Sequence, residues 1–125
     1  MNRGAKSRID REAFARLVGE AMDQLPDEFA EMAENVAIVV EDEPSPQLLD
    51  EMGLDPEEEL FGSYQGVPLT ERDSAYQELP DRIAIYRGPI SRCCPNREEM
   101  IVEIRDTVIH ELGHLFGLDD DEMPY

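Results

Sequence analysis

The stretch from Asn96 to Gly117 narrows most what this chain can fold into. Asn96, with Glu99 three residues on, is a capping-box-like helix start. Gly117 suits a helix stop, because glycine accepts the positive φ that ends many helices. Between them Ile101, Ile104, Val108, Leu112 and Leu115 fall at the 3.6-residue spacing of one helix face. A helix of about 20 residues is roughly 30 Å long, the width of a small domain, so the remaining elements must be arranged around it. Both histidines of the chain, His110 and His114, lie on this helix one turn apart, with Glu111 directly after the first.

The preceding elements are shorter. Residues 1–9 are a basic, flexible tail, and residues 10–125 suffice for one domain. Asp10 caps a helix through about Gln24 that places Phe14, Leu17, Val18, Ala21 and Leu25 on one face. Pro26 opens a second short helix with Phe29 and Met32 toward the core. Asn35–Val40 is a β-branched run, expected to be a strand buried on both faces. From Glu41 to about Leu60 the chain is acidic and broken by Pro44, Pro46 and Pro56, a surface excursion with one short helix near Gln47–Met52. Leu60–Leu69 reads as a strand weakened by glycines, suited to a sheet edge, and Asp81–Arg87 as a third strand that Gly88-Pro89 ends. The fold class is therefore α+β: a small mixed sheet packed on helices, with the long helix C-terminal.

Charge restricts the partners. Eleven Lys and Arg against 30 Asp and Glu give a net charge of −19. Such a field repels phosphate, which argues against nucleic acid and anionic membranes and in favour of metal cations and basic or neutral peptides. No apolar run is long enough for a transmembrane helix, and no apolar segment follows the basic start as a signal peptide would require. Cys93 and Cys94 are adjacent, without another cysteine to pair with, and read as two reduced thiols of a cytoplasmic protein.

His110-Glu111-Leu112-Gly113-His114 has the H-E-x-x-H pattern found in zinc peptidases. Two imidazoles one turn apart take neighbouring corners of a tetrahedral metal without straining the helix. A catalytic zinc site uses three protein ligands and keeps a position open for water. The metal polarises a carbonyl and activates that water, and a glutamate beside the first histidine accepts the proton as general base. Zn2+ is thus the expected cofactor, with Glu111 as the catalytic residue and His110 and His114 as metal ligands. A 2-His-1-carboxylate iron site has the same donors, but Glu111 suits hydrolysis better. Asp119, Asp120, Asp121 and Glu122 follow the helix stop, and any of these carboxylates is placed to complete the set.

The eleven residues from His110 to Asp120 match H-E-x-x-H-x-x-G-x-x-[H/D], the extended motif of metzincin-like zincins. The chain most resembles the small, acidic, bacterial minimal zincins, in which aspartate takes the last position and the motif lies near the C-terminus. That resemblance implies a zinc-dependent metallopeptidase of a single α+β domain with Asp120 as third ligand and a peptide or protein as substrate. The alternative is a non-catalytic zincin scaffold that keeps its metal and binds a peptide or protein partner. The methionine turn of metzincins has no clear counterpart, since only Met123 follows and it reads as a packing residue. Tyr64, Tyr86, Arg87 and Tyr125 are the candidates for stabilising an oxyanion. By analogy with zincins, Asp81–Arg87 is expected to be the edge strand along which an extended peptide lies.

Overall fold

The computed structural model describes residues 9–55, 59–65 and 81–117. The tail up to residue 8, residues 66–69 of the expected second strand, and everything after Gly117 lie outside the described residues.

Local chemistry sets the element boundaries. Helix α1 (Arg11–Asp23) begins where the Asp10 carboxylate accepts from the Ala13 N–H at 2.8 Å. Helix α2 (Asp27–Ala33) follows Pro26, strand β1 spans Ala37–Glu41, and helix α3 (Pro46–Glu51) is capped by Ser45, which accepts from the Leu48 N–H. Strands β2 (Gly62–Gln65) and β3 (Arg82–Tyr86) come next. Helix α4 (Arg87–Cys93) and the long helix α5 (Arg97–Leu115) complete the described chain. Asn96 caps α5 by accepting from the Glu99 N–H at 2.9 Å, while its own amide donates to the Glu99 carboxylate. Beyond α5, Gly117 has φ 76°, the left-handed turn expected of a helix stop.

Helix α5 is the centre of the packing. It lies on β2 and β3 on one side and against α1 on another, with smaller contacts to α2 and α4. Its stripe Ile101, Ile104, Val108, Leu112 and Leu115 is buried and joins one apolar cluster with Phe14, Leu17, Val18 and Ala21 of α1 and Ile83 and Ile85 of β3. Each of these side chains apart from Ala21 contributes about 1.5–3 kcal/mol by leaving water.

The sheet order is β1-β3-β2. β3 pairs parallel with β1, with Ile38 opposite Ile83, and antiparallel with β2, with Gly62 opposite Ile85. Two expectations change here, and one helix is added. β3 is the central strand, so Asp81–Arg87 offers no free edge; both of its sides are already hydrogen-bonded to neighbours. β1 is an edge strand among the described residues and only partly buried, although its β-branched run suggests burial on both faces. Gly88-Pro89 follows the end of β3 as expected, and the chain continues directly into α4, which the sequence does not announce. Proline is accommodated there because first-turn N–H groups lack helical partners in any case. Gly88 also lets the backbone approach Asp42, whose carbonyl accepts the Gly88 N–H at 2.8 Å. A Cβ at Gly88 would meet that carbonyl oxygen at 2.9 Å. Cys93 is exposed and Cys94 buried, both as free thiols. No described helix is long and apolar enough to cross a membrane.

Candidate metal centre

The last two turns of α5 carry the candidate centre. One ligand atom each from His110, Glu111 and His114 can be chosen so that all lie within 4.8 Å of one another. The two imidazole rings stand edge to face, 4.6 Å apart at 69°. His114 Nδ1 is 3.4 Å from Glu111 Oε1. Donors at about 2.0–2.2 Å from one zinc ion lie roughly 3–4 Å apart, so the two imidazoles are near the spacing that a shared ion needs, with the Glu111 carboxylate beside them. Imidazole nitrogen and carboxylate oxygen are also the donor chemistry that zinc takes. The residues present fit the metal.

The histidines are half-buried and open to one side, whereas Glu111 is buried. Burial pushes the Glu111 carboxyl above its ordinary range, because the charged form is poorly solvated there. His114, His110 and the backbone N–H of Tyr64, which hydrogen-bonds this carboxylate, oppose that rise without cancelling it.

The Tyr64 contact shows how β2 sits. Tyr86 N–H donates to the Phe61 carbonyl at 2.9 Å, which makes Phe61 and Tyr86 a hydrogen-bonded antiparallel pair. With the register fixed, Ser63 and Ala84 form the next such pair, and the backbone groups of Gly62 and Tyr64 point away from β3. The outer edge of β2 therefore faces the candidate centre. Gly62 lies against Thr107, where a Cβ would meet the Thr107 methyl at 2.6 Å, and Tyr64 lies against Glu111. Four residues of helix rise about 6 Å and two of strand about 6.6 Å, so β2 runs beside α5 in the same direction.

Between them opens a cleft of about 410 Å³. Its walls are Glu103, Asp106, Thr107, His110, Glu111 and His114 of α5, residues 59–62 and, across from them, Met52. The glycines of the second strand read as a weakness in the sequence; Gly62 is where the strand backbone closes on the helix. Glu103, Asp106 and Met52 belong to no motif that singles them out.

The remaining sequence candidates separate clearly. Tyr86 is buried with its hydroxyl 2.9 Å from Ser63 Oγ, and burial raises its phenol above the ordinary value. Arg87 is engaged elsewhere, donating to Asp42 and, at 2.6 Å, to the Ile9 carbonyl. The Tyr64 hydroxyl donates to Asp81 at 2.9 Å, so its contribution to the centre is the backbone N–H. Asp120, with Asp119, Asp121, Glu122, Met123 and Tyr125, lies outside the described residues.

A family model described as "Zincin-like metallopeptidase" matches residues 33–125, well over half of the chain and the whole of the candidate centre. Among solved structures, a conserved hypothetical protein from T. thermophilus is similar at 28% sequence identity and a TM-score of 0.53. The likeness covers 84% of this chain and 92% of that one. No curated protein matches the sequence.

Proposed function

The chain belongs to the zincin-like metallopeptidase family, and from that premise we propose that it is a zinc-dependent metallopeptidase with Glu111 as its general base. His110 and His114 hold the zinc, and Asp120 completes the set. The observation that carries this reading is the grouping of His110, Glu111 and His114 within 4.8 Å on one helix, facing the outer edge of a strand.

When bound, zinc supplies Lewis acidity, polarising the scissile carbonyl and making water a stronger acid. The protein's own groups do the rest. Glu111 accepts a proton from the attacking water and returns it to the leaving amine as the C–N bond breaks. Its carboxylate is buried beside both histidines, within reach of a water held at that position. The Tyr64 N–H fixes the direction of the carboxylate. The outward backbone groups of Gly62 and the Tyr64 carbonyl pair with an extended peptide, so substrate binds by strand addition to β2. The edge strand of the site is thus assigned to β2, replacing Asp81–Arg87.

Glu111→Gln keeps the shape of the side chain and removes its basicity. We expect hydrolysis of a mixed peptide substrate to fall about 100- to 10,000-fold, with zinc still present by metal analysis of the purified protein. Full activity in that variant, or a wild-type protein that takes up no zinc, overturns the reading. Peptide binding without cleavage by the zinc-loaded wild type would instead assign a peptide-binding scaffold.

A further inference from the structure

We propose that the cleft beside the histidines is a subsite for a lysine or arginine side chain of the substrate peptide, an assignment that rests on the metallopeptidase reading above. Its two walls differ in kind. Met52, Leu60 and Phe61 form an apolar side, and Met52 is left 49% exposed. The facing side is α5, with Glu103, Asp106 and Thr107 before the histidines. Among the described residues, no lysine or arginine lines the cleft. An aliphatic stem ending in a cation matches this pairing, with methylenes against the apolar wall and the charge against the carboxylates.

The acids are not equivalent. Asp106 is paired with its neighbour Arg105 at 2.9 Å, and Glu59, at the rim, with Arg92 at 3.0 Å. Glu103 accepts a hydrogen bond from the Thr107 hydroxyl at 3.1 Å, a neutral donor that leaves its charge in place. Glu103 is therefore the main anchor. It precedes His110 by two helical turns, about 10 Å along the axis, and Asp106 precedes it by about 6 Å. Only a long side chain spans that distance from a residue beside the bond to be cut. Peptides laid along β2 pass directly above this wall, because β2 and α5 run together. The net charge of −19 draws basic peptides in generally; the cleft adds a position at which the cation counts.

The test uses labelled peptides identical except at one position, which carries lysine, norleucine or glutamate; norleucine has the stem without the cation. The substituted position is moved residue by residue along the peptide. Binding to zinc-loaded Glu111→Gln protein is read by fluorescence anisotropy, and cleavage by zinc-loaded wild type is followed in parallel. At one position lysine should bind roughly five- to tenfold more tightly than norleucine, and glutamate more weakly than both. Glu103→Gln should shrink the lysine-to-norleucine ratio, and Glu103→Lys should bring it to one or below. Glu31→Lys changes net charge equally from the exposed face of α2 and should leave the ratio intact. Equal binding of lysine and norleucine peptides at every position, no binding of either, or equal loss of the ratio in Glu31→Lys overturns the subsite. Failure of the peptidase reading looks different: the lysine preference is present in binding, but no peptide is cut.

Discussion

The two faces of α5 share a backbone and differ in nearly everything else. One face, Ile101, Ile104, Val108, Leu112 and Leu115, is buried in the apolar cluster with α1 and β3. The other, Glu103, Thr107, His110 and His114, lines an open cleft beside β2. The buried face resists change because close-packed side chains leave no room to rearrange. The cleft face is only partly packed, with Thr107 against Gly62 and the histidines half-buried and open to the cleft. Glu111 lies at the boundary, buried enough for its proton affinity to rise and still next to both histidines. A rigid helix fixed by one face holds the side chains of the other in register, as a metal site requires.

The contrast breaks most sharply with one substitution on each face. Ile104→Ala leaves a cavity in the core and should destabilise the protein by about 2–5 kcal/mol, measured by urea denaturation. His110→Ala should cost less, about 1 kcal/mol in the metal-free protein, while abolishing zinc uptake. Comparable stability losses in both variants would show that the cleft face is part of the fold's support.

Gly62 tests the seam where the two regions meet. A Cβ there would lie 2.6 Å from the Thr107 methyl and 2.9 Å from the Ala84 carbonyl oxygen. Gly62→Ala should cost about 1–3 kcal/mol by overpacking and push β2 away from α5, weakening peptide binding. Adding Thr107→Ser should recover part of that loss, since it removes the methyl clash and leaves the backbone one. Full recovery would mean that β2 is freer to shift than its pairing with β3 suggests.

The helix start gives a smaller effect. Asn96→Ala removes the cap of α5 and should cost about 1 kcal/mol, read as a lower thermal midpoint with zinc affinity unchanged, because the histidines are at the far end of the helix. Smallest is the surface pair of Asp42 and Arg87. Hydrogen bonding to Arg87 holds the Asp42 carboxyl below the usual carboxylate range. A lowered folded-state value means the stabilisation is present above the unfolded-state pKa of about 4 and is lost as pH falls through the folded value. Asp42→Asn should therefore flatten the acid side of the stability curve, slightly and less in high salt. An unchanged acid limb would show that the pair contributes nothing.

Much of α5 is legible in the sequence. Its cap at Asn96, its stripe and its stop at Gly117 all depend on neighbours within a few residues, and the cap of α1 is readable for the same reason. The strands are recognisable as strands, and the glycines of Leu60–Leu69 suit the edge that β2 occupies, but the places of the other two are not legible. Asn35–Val40 looks buried because β-branched residues favour strands whether central or at an edge. Asp81–Arg87 reads as an edge strand by analogy alone, although Ile83 and Ile85 are fully buried at the sheet's centre. Helix α4 escapes sequence reasoning because Gly88-Pro89 reads as punctuation unless the contact with Asp42 is known.

The i, i+4 spacing of His110 and His114 belongs to the sequence alone, since any α-helix puts those positions on one face. The H-E-x-x-H pattern, which contains Glu111, is equally a property of the string of residues. Tertiary structure decided what faces them. Sheet order is a non-local matter, set by which strands pair across long stretches of chain, and it made β2 the edge that looks onto the histidines. From that one choice follow the Tyr64 N–H on Glu111, the close approach at Gly62 and the cleft between Met52 and Glu103. Periodicity places a donor on a helix. Only packing against β2 gives that donor a cleft to work in.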